Sequence, residues 1–190
     1  MSPHPSEARR ARRTDPDRRG RIVDAALEVI ATGGVAGASH RRIAAAADVP
    51  LGSMTYHFAG MDDLLRAAFS RFAEEVSRTI DDRLAGVSTR AEAVDAVVAH
   101  IDEDIFGSRR ALVLTHELYT LAAREESYRA LTAAWMARSR AALERHFDPL
   151  TARLLDALVE GLTIHRALDT VPARPGLARE AVERVCRPSR

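Results

Sequence analysis

The apolar residues of this chain recur at helical spacing along most of its length, interrupted only by short turn signals. Ile22, Ala26, Val29 and Ile30 mark one face of a helix over about 21–32. Leu64, Leu65, Ala68, Phe72, Val76 and Ile80 mark the stripe of a longer amphipathic helix over about 61–84. No convincing series of segments alternates with the period of two that half-buried strands need. Ala, Leu, Arg and Glu, all strong helix formers, dominate. An all-α fold is expected.

The breaks set the helix lengths. Gly33 and Gly34 end the first helix. Ser39 reads as the N-cap of a short helix over about 40–47, with Ile43, Ala44 and Ala47 facing inward. A turn at Asp48–Pro50 leads to a second short helix near 51–57, and Gly60 closes that unit. Gly86 and Ser88, Gly107–Ser108, Ala123–Glu125, Asp148–Pro149 and Asp169–Gly176 then bound helices near 89–106, 109–122, 126–147, 149–168 and 176–187. Pro149 suits a first helical position.

Charge divides the chain more sharply than its totals suggest. The net formal charge is only +1, and all 28 basic residues are arginine. Residues 1–42 hold nine arginines against five acids, whereas residues 67–190 hold 18 against 19. The opening MSPHPSEARRARRTDPDRRG has no apolar periodicity, and residues 1–18 read as a flexible basic arm. With 46% apolar residues the rest can bury a core. One cysteine, Cys186, excludes a disulfide framework within the chain and a cysteine-rich zinc site. No apolar run reaches 18 residues and no apolar segment follows the arginines, so neither a membrane span nor a secretory leader is expected, and the location expected is cytoplasmic.

Two short helices joined by a tight turn make a helix-turn-helix when the second can enter the major groove. The segment SHRRIAAAADVPLGSMTYHF has that form. Ala44, Ala45 and Ala46 are small enough for a close helix crossing, and Val49 can fill the angle. Met54 and Phe58 are spaced to anchor the second helix, leaving Leu51, Gly52, Ser53, Thr55, Tyr56 and His57 near its outer surface. Arg41 and Arg42 sit in the first turn of the first short helix, where a cation opposes the helix dipole slightly and a phosphate would offset it. Ser39, His40, Arg41 and Arg42 are therefore candidate backbone contacts, as are Arg18 and Arg19 beside the arm.

The segment from Arg18 to Phe69 resembles the N-terminal domain of the TetR family of transcriptional regulators. The likeness rests on the helix ending at Gly33–Gly34, the Ile43–Ala44 pair, Ala47 and Val49 at the turn, Tyr56–His57–Phe58, and Leu64–Leu65 in the next helix. It covers about 19–70 closely and the remainder only in helical layout. It implies a three-helix DNA-binding domain over 19–60 and an effector-binding and dimerisation domain over 61–190. It further implies a homodimer acting on a near-palindromic double-stranded operator, most often as a repressor. Ser53, Thr55, Tyr56 and His57 would lie in or beside the reading surface, and Ser39 would meet phosphate. The chain departs from the family pattern at Pro50, where Ser or Thr is frequent, at Thr55, where Tyr is frequent, and at Met61, where Lys is frequent.

The helical body would bind an unidentified small-molecule effector and pair with its copy through the helices near 149–168 and 176–187. Apolar residues on more than one side of 149–168, including Val159, Ile164 and Ala167, agree with a second buried face. The effector site is expected among the helices of 61–147, where His100, His116, Tyr119, Thr120, Tyr128, Trp135 and Met136 could contribute, with His165 at the edge. No cofactor, metal or catalytic residue is expected. His116–Glu117 begins a zinc-protease motif, but Thr120 stands where the second histidine must be. There is no G-x-S-x-G elbow, phosphate loop or G-x-G-x-x-G, and no carboxylate stands out by its sequence surroundings.

Overall fold

The computed structural model describes residues 17–104 and 109–187. Most of the basic arm, residues 1–16, and the Gly107–Ser108 break lie outside the described residues. The helices are α1 (Arg18–Gly33), α2 (His40–Ala46), α3 (Gly52–His57), α4 (Met61–Ala85), α5 (Arg90–Ala99), α6 (Arg109–Arg124), α7 (Glu126–Leu143), α8 (Pro149–Leu168) and α9 (Leu177–Cys186). Among the described residues no strand occurs, and no helix is long and apolar enough to cross a membrane. Two compact units form, with the boundary between Ala68 and Phe69, inside α4.

In the first unit, α1 buries Ile22, Val23, Ala26, Leu27 and Ile30 on one face. Gly34 stops it at φ +67°, its N–H donating to the Ile30 carbonyl at 2.8 Å. Ser39 caps α2 as expected, its hydroxyl oxygen accepting from the Arg42 N–H at 3.3 Å. Ile43, Ala44 and Ala47 turn inward. Ala45 and Ala46 instead face solvent, so only Ala44 of the three alanines can serve a close crossing.

The turn between α2 and α3 is a Schellman stop. The Asp48 N–H donates to the Ala45 carbonyl and the Val49 N–H to the Ala44 carbonyl, with Asp48 at φ +51°. A left-handed conformation costs an ordinary L-residue about 1–2 kcal/mol, most for β-branched side chains. Asp48→Val is therefore expected to be less stable than Asp48→Gly by about 1–2 kcal/mol in denaturant unfolding, since both substitutions remove the carboxylate equally. Equal stabilities would contradict this account of the turn.

In the second unit, Ile80 and Leu84 of α4, Ala93 and Val97 of α5, Leu143 of α7, Leu155 of α8 and Val182 of α9 meet in one core. Side-chain caps fix where its helices begin. Thr89 and Glu92 form a reciprocal capping box at α5, and the Ser88 and Thr89 N–H groups hold the Glu92 carboxyl below its usual range. Asp148 caps α8 by accepting from the Leu150 and Thr151 N–H groups, with Pro149 following. The α5 helix continues into a π-helical turn, His100–Asp104, where widened bonding exposes carbonyls. The Arg166 guanidinium meets two of them, donating to Ile101 at 3.2 Å and Asp102 at 2.6 Å.

Candidate functional site

The first candidate site is the outer face of α3. Met54 and Phe58 are buried and anchor the helix. Successive residues advance about 100° around it. Gly52, Thr55 and Tyr56 therefore share one face and are all exposed, Tyr56 at 84%. Leu51, just before the helix, is 55% exposed. The Thr55 hydroxyl donates to the Gly52 carbonyl at 3.2 Å, and the Tyr56 ring stands edge-on to His57 at 4.9 Å.

Ser53 corrects the sequence expectation. It is only 9% exposed, because the buried face of α3 is centred between Ser53 and Met54. His57, one turn beyond Ser53 on the same side, is half-buried. The outward face is consequently narrower than Ser53–His57.

The candidate phosphate contacts sort similarly. Arg41 is exposed at the start of α2. Arg42 is exposed but donates to the Gly37 carbonyl at 2.6 Å, which ties the Val35–Gly37 turn to α2. His40 is half-buried with its Nε2 enclosed by protein. Arg18 and Arg19 belong to the first turn of α1, the Arg19 guanidinium lying 4.9 Å over the Phe58 ring.

The second candidate site is a cavity in the second unit, enclosed by α4, α6, α7, α8 and the π turn. Val76, Thr79 and Ile80 of α4, His100 of the π turn, Ala111, Thr115 and Tyr119 of α6, and Trp135, Met136, Ser139 and Leu143 of α7 line it. Asp156, Val159, Glu160 and Thr163 of α8 complete the wall. Tyr119 and Trp135 stack at 5.9 Å between centroids, and Phe72 meets Trp135 edge-on at 6.1 Å. Of the residues expected there, His100, Tyr119, Trp135 and Met136 line the cavity. His116 and Thr120 are exposed, Tyr128 is buried against Phe69, and His165 lines a different cleft.

The cavity also extends beyond 61–147, and two carboxylates in its wall escape the sequence reading. Asp156 and Glu160 stand one turn apart on α8, a spacing of two acids within a Leu-rich helix that is readable in the sequence. Burial pushes the Asp156 carboxyl up to about 6, opposed by Arg140 at 3.3 Å and assisted by the Glu160 charge. Burial and then the Glu160 charge raise the Tyr119 phenol. Among the described residues, no group of three or more His, Cys, Asp or Glu could hold a metal ion.

The Asp156 shift predicts a pH dependence. A carboxyl whose folded pKa is about 6, above an unfolded value of about 3.9, costs stability progressively as pH rises from about 4 through 6. Asp156→Asn removes that cost. The variant is expected to melt several degrees above the wild type at pH 7.5, the gap closing near pH 4.5; a gap independent of pH would contradict the assignment.

Residues 22–68 match the family model for bacterial regulatory proteins of the tetR family. SCO7518, a candidate transcriptional regulator of Streptomyces coelicolor A3(2), is 55% identical, with 90% of this chain and 98% of that one covered at a TM-score of 0.84. The multidrug binding protein EbrR, complexed with ethidium, is 38% identical, with 90% and 99% covered and a TM-score of 0.75. SCO1917 of Streptomyces coelicolor A3, a member of the TetR family, is 37% identical, with 90% and 98% covered and a TM-score of 0.72. No curated protein matches the chain. With a helix-turn-helix in the matched segment and 37% identity to SCO1917 over 90% of its length, the chain belongs to the TetR family of bacterial transcriptional regulators.

Proposed function

We propose that the chain acts as a cytoplasmic homodimeric repressor that holds a palindromic operator and releases it when a small molecule enters the α4–α8 cavity. The observation that carries the DNA half is the exposed tyrosine on α3. An aromatic residue 84% open to water, on a short helix anchored by buried Met54 and Phe58, is built for an outside partner. In this reading 19–60 is the DNA-binding domain and 61–190 the effector and dimerisation domain. Leu51, Gly52, Thr55 and Tyr56 meet the major groove. Ser39, Arg41 and His57 meet phosphates, with Arg42, Arg18, Arg19 and His40 supporting them, and Ser53 positions α3 from within.

The dimer reading is supported by α8. Leu150, Leu154 and Leu168 are 66%, 48% and 60% exposed, and Ala157 and Gly161 lie exposed between them. A Cβ built on Gly161 meets nothing within 4 Å. One side of α8 lines the cavity and the other offers this apolar stripe, and Val171 and Leu177 beyond the helix are exposed as well. Two-fold pairing would cover it and set two reading heads on half-sites one or more turns apart.

The effector reading is supported by the cavity's aromatic and apolar walls, and by EbrR, a relative bound to ethidium, to proflavin and to malachite green. α4 supplies Val76, Thr79 and Ile80 to the cavity, and the same helix begins at Met61, three residues after Phe58. A ligand that shifts α4 would change the spacing of the heads and so lower operator affinity. Selection of duplexes from a random pool, then binding across a salt series, tests the proposal. Enrichment of a palindrome with a steep salt slope is expected; no duplex retained at low salt would refute it.

A further inference from the structure

We infer that an uncharged ligand enters the cavity together with one proton, which Asp156 takes from solvent to meet the ligand as a neutral carboxylic acid. This rests on the effector reading above and names the protonation state in which the site receives its ligand.

Asp156 is held too loosely to stay charged once water leaves. It lines the cavity from α8. Its ion-pair partner among the described residues is Arg140 of α7, with 25% of the arginine side chain and 20% of the aspartate side chain exposed. The contact is single, Arg140 Nη1 donating to Asp156 Oδ2 at 3.3 Å. A charge-assisted bond of this kind runs about 2.7–2.9 Å, and the strong form of an arginine–carboxylate pair is a fork of two such bonds. Among the described residues none donates to Asp156 Oδ1, so a proton can sit there.

The other surrounding groups do little to hold the charge. On α8, Arg153 favours the carboxylate, but Glu160 one turn on opposes it more strongly. Tyr119 of α6 is a phenol kept neutral by burial, His100 of the π turn shares the lining, and Val76, Thr79 and Ile80 of α4 bring no charge. Burial already outweighs the pull of Arg140 and leaves the Asp156 carboxyl at about 6. An apolar ligand seated against it displaces the water that still reaches it, and desolvation in excess of the Coulomb gain favours the neutral acid. Binding then draws a proton from solution near neutral pH, and by linkage acid tightens binding. The sign separates Asp156 from His100. A neutral ligand that dehydrates an imidazole favours its uncharged form, so a proton would be released there and acid would weaken binding.

The test uses the full chain without DNA and N-phenyl-1-naphthylamine, an aromatic probe that is uncharged throughout the range used. Trp135 is the only tryptophan of the chain and lines the cavity, so quenching of its emission reports entry. The probe is expected to bind at least about fivefold more tightly at about pH 5 than at about pH 8, changing by no more than about tenfold per pH unit, as a single proton requires. Calorimetry near neutral pH, in buffers of different ionisation heat, should find proton uptake on binding. Asp156→Asn is expected to hold the probe with an affinity independent of pH and close to that of the wild type in acid, without proton uptake. Glu160→Gln is expected to keep the pH dependence. Wild-type affinity that is flat or falls on acidification, or a pH dependence that survives in Asp156→Asn or vanishes in Glu160→Gln, would overturn the inference and leave the effector cavity standing. If Asp156→Asn fails to fold, the sign of proton exchange on the wild type decides alone. Failure of the probe to quench Trp135 at any pH would sink the effector reading and this inference together.

Discussion

Replacing Leu154 by arginine is expected to give a folded monomer whose operator affinity is lower by about 10²–10⁴-fold. Leu154 is 48% exposed in the single chain, so the arginine displaces nothing from the core. In a two-fold dimer each substitution occurs twice across one interface. Two added charges would then be stripped of water among Leu150, Leu168 and their copies without partners. The loss at the operator follows from linkage, since a monomer forfeits the effective concentration that couples the second half-site to the first. Sedimentation and operator titration check both halves. A dimer that persists at micromolar concentration would mean that the stripe on α8 has another use.

Removing the Tyr56 ring should act on the DNA side alone. Tyr56→Ala is expected to leave thermal stability nearly unchanged, because the ring is 84% exposed and anchors nothing. If each ring contributes about 1–3 kcal/mol at its half-site, the dimer loses about 2–6 kcal/mol, or roughly 30-fold to 10⁴-fold in operator affinity. Arg41→Ala supplies the contrast. Taking one phosphate-neutralising cation from each subunit should lower affinity for all duplexes alike and reduce the salt slope by about two per dimer. Tyr56→Ala should instead narrow the gap between operator and random DNA while leaving the slope nearly intact. Equal losses on both kinds of DNA would reassign Tyr56 to the phosphates.

Several helices are legible in the sequence because their boundaries carry their own local chemistry. Ser39, Thr89 and Asp148 cap helices by side-chain acceptance, Gly34 and the Asp48 turn stop them, and Pro149 starts one. Such devices act within four residues and leave a readable signature. The stripe of α4 is legible because its period is sustained over a long helix.

What stays hidden depends on rotation and on distance. A helix of six residues gives periodicity little to work on, and a rotation of about half a residue step around α3 decides whether Ser53 faces in or out. Arg42 reads as a free cation until the Gly37 carbonyl is brought to 2.6 Å by the turn before it. The cavity is harder still. Tyr119, Trp135 and Glu160 come from three helices, and nothing local tells Trp135 that its neighbours are Tyr119 and Phe72. The acid pair is visible as a pair, but leucines dominate the pattern of α8, and a helix that serves an outer and an inner surface at once hides the smaller set.

The central claim is that two copies of α3 enter the major groove of one symmetric site with Tyr56 foremost, and photo-crosslinking tests it most directly. A photoreactive phenylalanine analogue at position 56, illuminated on the selected operator, should attach to bases at two symmetric positions separated by about one helical turn or a multiple of it. The same analogue at position 154 should link protein to protein. Protein crosslinks from position 56, or DNA crosslinks with no symmetry in the duplex, would contradict the account.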